Sequence, residues 1–168
     1  MNLRNLAAVL ALGTMLVPAA YAGPAIACKW EAIPGSLFEQ LDPLRRAAMK
    51  ADDSPADTKA ALAKLAELRA AIKPDDPLSL MKAGFWTVTM HAIGVTPETD
   101  GGKLIMKALE LRPNDPEYHF FAALASMDKG DRVVFRKHWT RARELAQPGS
   151  AVAVNLKVVA EIYPDIGR

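Results

Sequence analysis

The sequence lacks most of the features that point to a particular chemistry. It contains one cysteine, Cys28, among 168 residues, so no disulfide can form within the chain. Charge of one sign is not in excess, because 21 lysines and arginines stand against 19 aspartates and glutamates. Nucleic-acid binding normally requires a strong basic stripe, so we do not expect a nucleic-acid partner. No segment alternates apolar and polar residues over the length of a strand, which argues against a β-sheet.

Catalytic and metal-binding patterns are also absent from the sequence. The three histidines, His91, His119 and His138, form no short metal-ligand spacing, and there is no second cysteine for a thiolate site. Neither a glycine-rich phosphate loop nor a nucleophile elbow occurs. The paired aspartates lie at turns or helix starts, where carboxylates cap free amides. We therefore expect no enzyme activity, no catalytic residue, no metal and no cofactor, with each histidine solvated or hydrogen-bonded within the fold.

The first 22 residues have the pattern of an export signal. Arg4 and the amino terminus supply positive charge, residues 6–17 are apolar, and Ala20 and Ala22 give a small-x-small cleavage pattern. A membrane-spanning helix needs about 20 apolar residues, so this run is short for one. Because the segment stays weakly apolar as far as Cys28, an uncleaved membrane anchor is the alternative. We expect a signal peptide at 1–22 and a protein of the bacterial periplasm or cell envelope.

The single cysteine has two interpretations. Residues 25–28, Ala-Ile-Ala-Cys, resemble a bacterial lipobox, in which the cysteine carries the lipid that attaches the protein to a membrane. The lipobox favours leucine at the position of Ala25. The glycine and proline at 23–24 also interrupt the apolar segment that leads to the cysteine. The alternative is cleavage upstream, which leaves Cys28 as an unpaired thiol in a flexible tail. An odd cysteine is unusual in an exported protein, so lipidation stays open.

Residues 36–168 are predicted to form one helical domain after a tether at 23–35. Trp30 in the tether either docks onto the domain or stays exposed. Hydrophobic residues make up 51% of the chain, which is enough for a packed core. A capping box at Ser36 and Glu39, and acidic or hydroxyl residues followed by proline, mark helix starts. These signals predict seven helices beginning near residues 36, 54, 76, 96, 115, 131 and 152.

Two internal repeats relate these helices. Lys-Pro-Asp-Asp-Pro at 73–77 returns 39 positions later as Arg-Pro-Asn-Asp-Pro at 112–116. Each copy lies between an amphipathic run and an apolar run that carries a pair of small residues. A second register, shifted by 34 residues, pairs residues 105–111 with residues 139–145. Repetition of helix–turn–helix units predicts an array of α-hairpins, an architecture that usually binds other chains.

Residues 115–148 resemble one tetratricopeptide repeat (TPR), whose period is 34 residues. The markers of that family are the Asp-Pro start, Ala122, Ala123, the turn at 129–131, Trp139 and Ala142. The chain departs from the family at His119, at Phe135 and at a closing proline that arrives one residue late. The resemblance covers residues 55–149. It implies an all-α, right-handed stack of antiparallel helix hairpins, about seven helices in all with a C-terminal capping helix; a non-repeating helical bundle is the alternative.

In the TPR family the first helix of each hairpin lines a concave groove that holds a partner. Matching this chain position by position implies a partner-binding groove lined by Leu78, Met81, Phe85, Val88, Phe120, Leu124 and Met127. Glu117 shares that face. The polar residues that clamp a peptide carboxylate in some family members are replaced here by apolar ones. The resemblance therefore implies a protein partner that presents a helical or extended apolar segment.

An apolar groove of this size is uncommon on a free protein, so something is expected to cover it. The candidates are the chain's own first helix, which carries Phe38 and Leu41, a second copy of the chain, or a partner segment. The leading hypothesis is an exported adaptor or scaffold that holds another envelope protein in this groove. The alternative is a structural, lipoprotein-like subunit of an envelope assembly or a homo-oligomer with the groove self-filled.

The predicted sixth helix carries a second candidate surface. Its basic residues are Arg132, Arg136, Lys137, Arg141 and Arg143. Runs of charge are usually solvated faces, and that is our first interpretation. The sharper alternative is a patch for an acidic partner or an anionic lipid.

Overall fold

The computed structural model describes residues 30–128 and 130–162, and every regular element among them is an α-helix. The helices are α1 (Leu37–Ala48), α2 (Pro55–Ala70), α3 (Pro77–Ala92), α4 (Gly101–Leu111), α5 (Pro116–Asp128), α6 (Arg132–Leu145) and α7 (Ala151–Ile162). The prediction of an all-α fold is confirmed for this part of the chain. The predicted signal peptide, residues 23–29 of the predicted tether and Cys28 lie outside it. Among the described helices, none has the length and hydropathy that a bilayer crossing requires.

Most helix starts follow the caps that the sequence predicts. The Ser36 hydroxyl accepts a hydrogen bond from the Glu39 amide at 3.2 Å, and the Glu39 carboxylate accepts one from the Gly35 amide at 2.7 Å. The carboxylate of Asp131 likewise accepts from the Val134 amide at 3.0 Å at the start of α6. Proline opens α2, α3 and α5, where its missing amide hydrogen costs nothing. Local side-chain chemistry therefore accounts for these boundaries.

The start of α4 differs from the prediction, because α4 begins at Gly101 and not near Thr96. Asp100 stands at the N-cap position, but its side chain makes no capping hydrogen bond there. That carboxylate pairs instead with Arg69 of α2, which also lies 2.5 Å from the carboxylate of Glu98. The arginine thus ties Glu98 and Asp100 to α2 immediately before the first residue of α4.

The crossing of α3 and α4 depends on two glycines. A Cβ atom on Gly84 would lie 2.8 Å from the carbonyl oxygen of Gly101, and one on Gly101 would lie 2.7 Å from that of Gly84. Real Cβ atoms do not approach backbone oxygens that closely. The two helices therefore touch backbone to backbone, which is closer than most packed helix pairs come.

Helices adjacent in sequence make the most extensive contacts, above all α3 with α4 and α5 with α6. The first pair is an exception, since α1 packs on α3 more than on α2. Helix α2 is joined to α3 by Trp86, whose indole nitrogen donates to the Ala61 carbonyl at 3.1 Å. Helix α7 closes the far end against α5 and α6. Because α1 does not pair with α2, it lies on α3 instead.

Residues 30–37 tie the two ends of the domain together, and we call this segment the N-terminal clasp. The Glu31 amide donates to the Asn155 side-chain oxygen at 2.6 Å, and the Asn155 amide nitrogen donates back to the Glu31 carbonyl at 3.0 Å. The Leu37 amide donates to the Glu117 carboxylate of α5 at 2.5 Å. Trp30 is 4% exposed. In the described part of the predicted tether, Trp30 is therefore packed into the domain, while Glu31, Pro34 and Gly35 are exposed.

Candidate functional site

The face predicted to be a partner-binding groove lies inside the protein. Five of its seven residues are at most 4% exposed, and two are partly buried; the five are Met81, Phe85, Val88, Phe120 and Leu124, and the two are Leu78 and Met127. The structure places these side chains of α3 and α5 in the hydrophobic core. It does not leave them open to a partner.

The chain's own N-terminal residues cover this face. The ring of Phe38 on α1 lies 4.9 Å from that of Phe120 and 5.2 Å from that of Phe121, measured between centroids. Trp30 packs edge-on against Phe85 at 5.6 Å and against Phe121 at 5.5 Å. Edge-to-face pairs at these distances stabilise a core beyond the area that they bury. Self-coverage, one of the three covers considered above, is the arrangement that the protein adopts.

Hydrogen-bonding and charged groups hold the cover in place. The Glu117 carboxylate accepts the Leu37 amide at the start of α1, where an acceptor satisfies a free helix amide. Burial raises the pKa of this carboxyl, and the hydrogen bond from Leu37 opposes that rise. The Arg45 guanidinium lies 5.3 Å above the Trp30 ring, and the buried carboxylate of Asp42 pairs with Arg45 at 2.6 Å. A partner could reach the groove only by displacing this whole set of contacts.

Helix α6 presents its basic residues outward, as the sequence predicts. Its apolar and aromatic side chains, among them Phe135, Trp139 and Ala142, are buried against α5. Four of the five basic residues are exposed and the fifth is half-buried; they are Arg132, Arg136, Lys137, Arg143 and, half-buried, Arg141. Val133 lies among them with 80% of its surface exposed. This outward surface is called the basic face below.

A pair of histidines joins α5 to α6 beside the basic face, and sequence analysis did not connect them. The Nδ1 atoms of His119 and His138 lie 3.1 Å apart, with the two rings inclined by 29°. The Nε2 atom of His119 lies 2.9 Å from the carbonyl oxygen of Pro113, in the loop before α5. Both side chains are buried, at 7% and 3% exposure. The two histidines are 19 positions apart in the sequence. Short metal-binding and catalytic motifs do not span that distance, so no motif connects them.

When both rings are neutral, the hydrogen-bond network sets which nitrogens carry protons. A carbonyl oxygen only accepts, so Nε2 of His119 must carry a hydrogen, and in the neutral ring Nδ1 is then an acceptor. Nδ1 of His138 must therefore donate to it. This leaves Nε2 of neutral His138 as an acceptor, and no described residue hydrogen-bonds to that atom. A second proton on the pair would place two N–H groups against each other.

An open hollow of about 510 Å³ lies over the pair. It is lined by the two histidines, by Pro113 in the loop before α5, and by Arg136, Lys137, Thr140, Arg141 and Glu144 of α6. Arg141 is paired with Glu144 at 3.1 Å. The hollow therefore combines buried imidazoles with exposed cations.

We expect the stability of the protein to fall between pH 6.5 and pH 4 because of His138. Burial, and then the neighbouring His119 and Lys137, lower the pKa of His138 from 6.5 to about 4. The unfolded chain takes up this proton near pH 6.5 while the folded chain resists it, so acid favours unfolding across that interval. At about 1.4 kcal/mol per pKa unit, the loss reaches up to about 3 kcal/mol.

Urea unfolding at pH 7 and pH 4.5 measures this loss, with His138→Gln as the matched variant. Carboxylates also contribute to acid sensitivity, so the informative quantity is the difference between the two proteins. The variant should lose less stability on acidification than the wild type. The imidazole signal of His138 should titrate near pH 4 in NMR spectra, and titration near 6.5 would contradict the assignment.

The remaining candidate residues take part in no such cluster. Nδ1 of His91 lies 3.2 Å from the carbonyl oxygen of Thr96, so this histidine bonds to the loop after α3. Among the described residues, no group of three or more histidine, cysteine, aspartate or glutamate side chains could hold a metal ion. Cys28 stays a predicted lipidation site.

The chain was compared with models of known protein families, with curated proteins and with solved structures. None of the three comparisons finds a match.

Proposed function

We propose that the protein is an exported, TPR-like binding module that holds an acidic envelope protein on the basic face of α6. The observation that carries the proposal is the contrast between its two candidate surfaces. The apolar groove is filled by α1 and Trp30, whereas the basic face is open to solvent. A surface that is already exposed can bind without first losing core contacts.

The helix contacts support the TPR-like part of the proposal. Neighbours in sequence pack as α3 with α4 and as α5 with α6, and the alternate helices α3, α5 and α7 also touch in order. Stacked hairpins produce this combination of contacts. The α1–α2 pair does not follow it, because α1 lies on α3. In this proposal α1 is a built-in filler of the groove and not the first helix of a repeat.

The character of the basic face suggests the class of partner. Charged rims steer an oppositely charged protein and raise its association rate, while an apolar side chain inside such a rim supplies contact area. Val133 fits the second role because it is the most exposed large apolar side chain described. The proposed partner therefore presents acidic groups around an apolar spot.

Export and attachment remain proposals, and the fold adds one geometric consequence. Trp30 is anchored in the core, so any signal-peptide cleavage must leave it in place. If Cys28 carries a lipid, a single residue, Lys29, separates the lipid-bearing residue from the folded domain. In a lipidated form the folded domain would therefore lie next to the membrane, with no long flexible linker between them.

Site-specific photo-crosslinking in the native host tests the proposal. A photoreactive residue at Val133 should give an adduct with another envelope protein, while the same residue at Leu62 on α2, which is 42% exposed, should not. Combining Val133 labelling with Arg132→Glu and Arg143→Glu should remove the adduct, because like charges then face the acidic partner. Adducts from both positions, or one that survives charge reversal, would contradict a basic docking face.

A structural subunit that binds its own copies is the second candidate, and its contacts would have to lie outside the groove that Trp30 and α1 already fill. Size-exclusion chromatography with light scattering separates the two. The binding-module proposal expects a monomer, whereas the structural subunit expects a stable oligomer whose mass does not change on dilution.

A further inference from the structure

The hollow beside the basic face has an excess of positive charge. Arg136, Lys137 and Arg141 contribute three cations to its lining, and Glu144 contributes one carboxylate. Arg141 keeps donors to spare after its single contact with Glu144, because a guanidinium has five N–H groups. The hollow therefore suits an anion with about two negative charges. A metal cation would meet repulsion from the same residues.

The histidines that line the hollow set a second requirement. His138 has its Nδ1 hydrogen committed to His119, and Nε2 is left as an acceptor. Burial lowers the pKa of His138 to about 4, so its ring is neutral at pH 7. A ligand that fills the hollow must then offer a hydrogen to Nε2 as well as oxygens to the cations. A ligand that displaces water from this acceptor without offering a hydrogen loses binding energy.

We infer that the hollow binds inorganic phosphate in its monohydrogen form. At neutral pH this dianion carries one hydroxyl and three oxygens that accept hydrogen bonds. The hydroxyl donates to Nε2 of His138, and the other oxygens accept from Lys137 and Arg141, with Arg136 also lining the hollow. Bonds between charged partners of this kind are the stronger class. The inference does not depend on the protein partner proposed above.

The same geometry predicts selectivity among anions. Sulfate has the charge and shape of the phosphate dianion but no hydrogen at pH 7, so one of its oxygens would face the lone pair of Nε2. A phosphomonoester is also mostly unprotonated there, since its second pKa is about 6. We expect both anions to bind about tenfold more weakly than inorganic phosphate, because each leaves this acceptor without a donor once water is displaced.

Titration calorimetry and NMR on the full chain at pH 7 and constant ionic strength test the inference, with inorganic phosphate, sulfate and glycerol 2-phosphate as probes. Phosphate should saturate one site and shift the imidazole signals of His138 and His119. Lys137→Gln with Arg141→Gln should weaken phosphate binding about tenfold or more. The matched control, Arg132→Gln with Arg143→Gln, removes the same charge from the same helix outside the hollow and should change affinity less than about twofold.

Three results would overturn the inference. The first is the absence of saturable binding at phosphate concentrations up to tens of millimolar. The second is an equal loss in the two double variants, which indicates attraction to helix charge in general. The third is equal affinity for phosphate and sulfate, which removes the role given to Nε2 of His138. His138→Gln supplies a further check, because a glutamine amide also donates and should bring the two affinities together while the helix content stays unchanged.

Discussion

Gly84→Ala is expected to destabilise the protein by about 2 kcal/mol, although alanine is the better helix former by about 1 kcal/mol. The new methyl group would lie 2.8 Å from the Gly101 carbonyl oxygen and 2.8 Å from Cγ1 of Ile105. Because backbone atoms cannot move aside, α3 and α4 must separate. Overpacking of this kind costs about 1 to 3 kcal/mol, and more where backbone is involved. Gly101→Ala should behave in the same way.

Urea unfolding gives the sign and size of both effects. Helix propensity alone predicts that each variant is more stable, so any gain in stability would contradict the close crossing. The double variant supplies a second criterion. Once one methyl group has pushed the helices apart, the other meets less resistance, so the two losses should sum to more than the loss measured in the double variant.

Trp30→Ala is expected to lower the free energy of unfolding by about 3 to 5 kcal/mol, the range for removing a buried aromatic side chain. The indole packs against three phenylalanine rings, with centroid distances of 6.1 Å to Phe38, 5.6 Å to Phe85 and 5.5 Å to Phe121. Its loss also removes the ring beneath Arg45. Chemical denaturation measures the total effect. Hydrogen exchange should show the amides of α1 losing more protection than those of α6.

Trp30→Phe is the matched control for that experiment. The indole nitrogen of Trp30 is buried, and no described residue hydrogen-bonds to it. Phenylalanine keeps an aromatic ring in the pocket and removes this unsatisfied donor, so its cost should stay below about 1.5 kcal/mol. If Trp30→Ala were as mild as Trp30→Phe, the N-terminal clasp would not be the cover that closes the groove.

The caps and periodicity of the sequence predict the helices well, and the physical reason is that both are local. Ser36, Asp76 and Asp131 each bond an amide within the next three residues. The one misplaced start, at α4, has a non-local cause. Arg69, 31 positions away, pairs with the carboxylate of Asp100, which makes no capping hydrogen bond. No pattern within a short window contains that contact.

The candidate site divides in the same way. The basic face of α6 follows from helical spacing, because the apolar positions turn inward and the charged positions are left outside. The apolar character of the residues predicted to line the groove also follows from the sequence. Whether these residues are exposed to a partner could not be predicted. Their exposure depends on whether Phe38 and Trp30 pack against them or point into solvent. The His119–His138 pair required knowing which residue of α6 faces which residue of α5.

By itself, the sequence determined that this chain is helical, where most of its helices begin, and which faces of them are apolar or basic. These properties come from interactions across one or two turns, whose energies do not depend on the rest of the fold. Only the tertiary structure decided that Trp30 and α1 fill the groove, that two glycines let α3 and α4 touch, and that two distant histidines meet beside three basic residues of α6. Each of those outcomes is a contact between residues far apart in the chain, and it forms only when the burial of many other side chains has already fixed the positions of the helices.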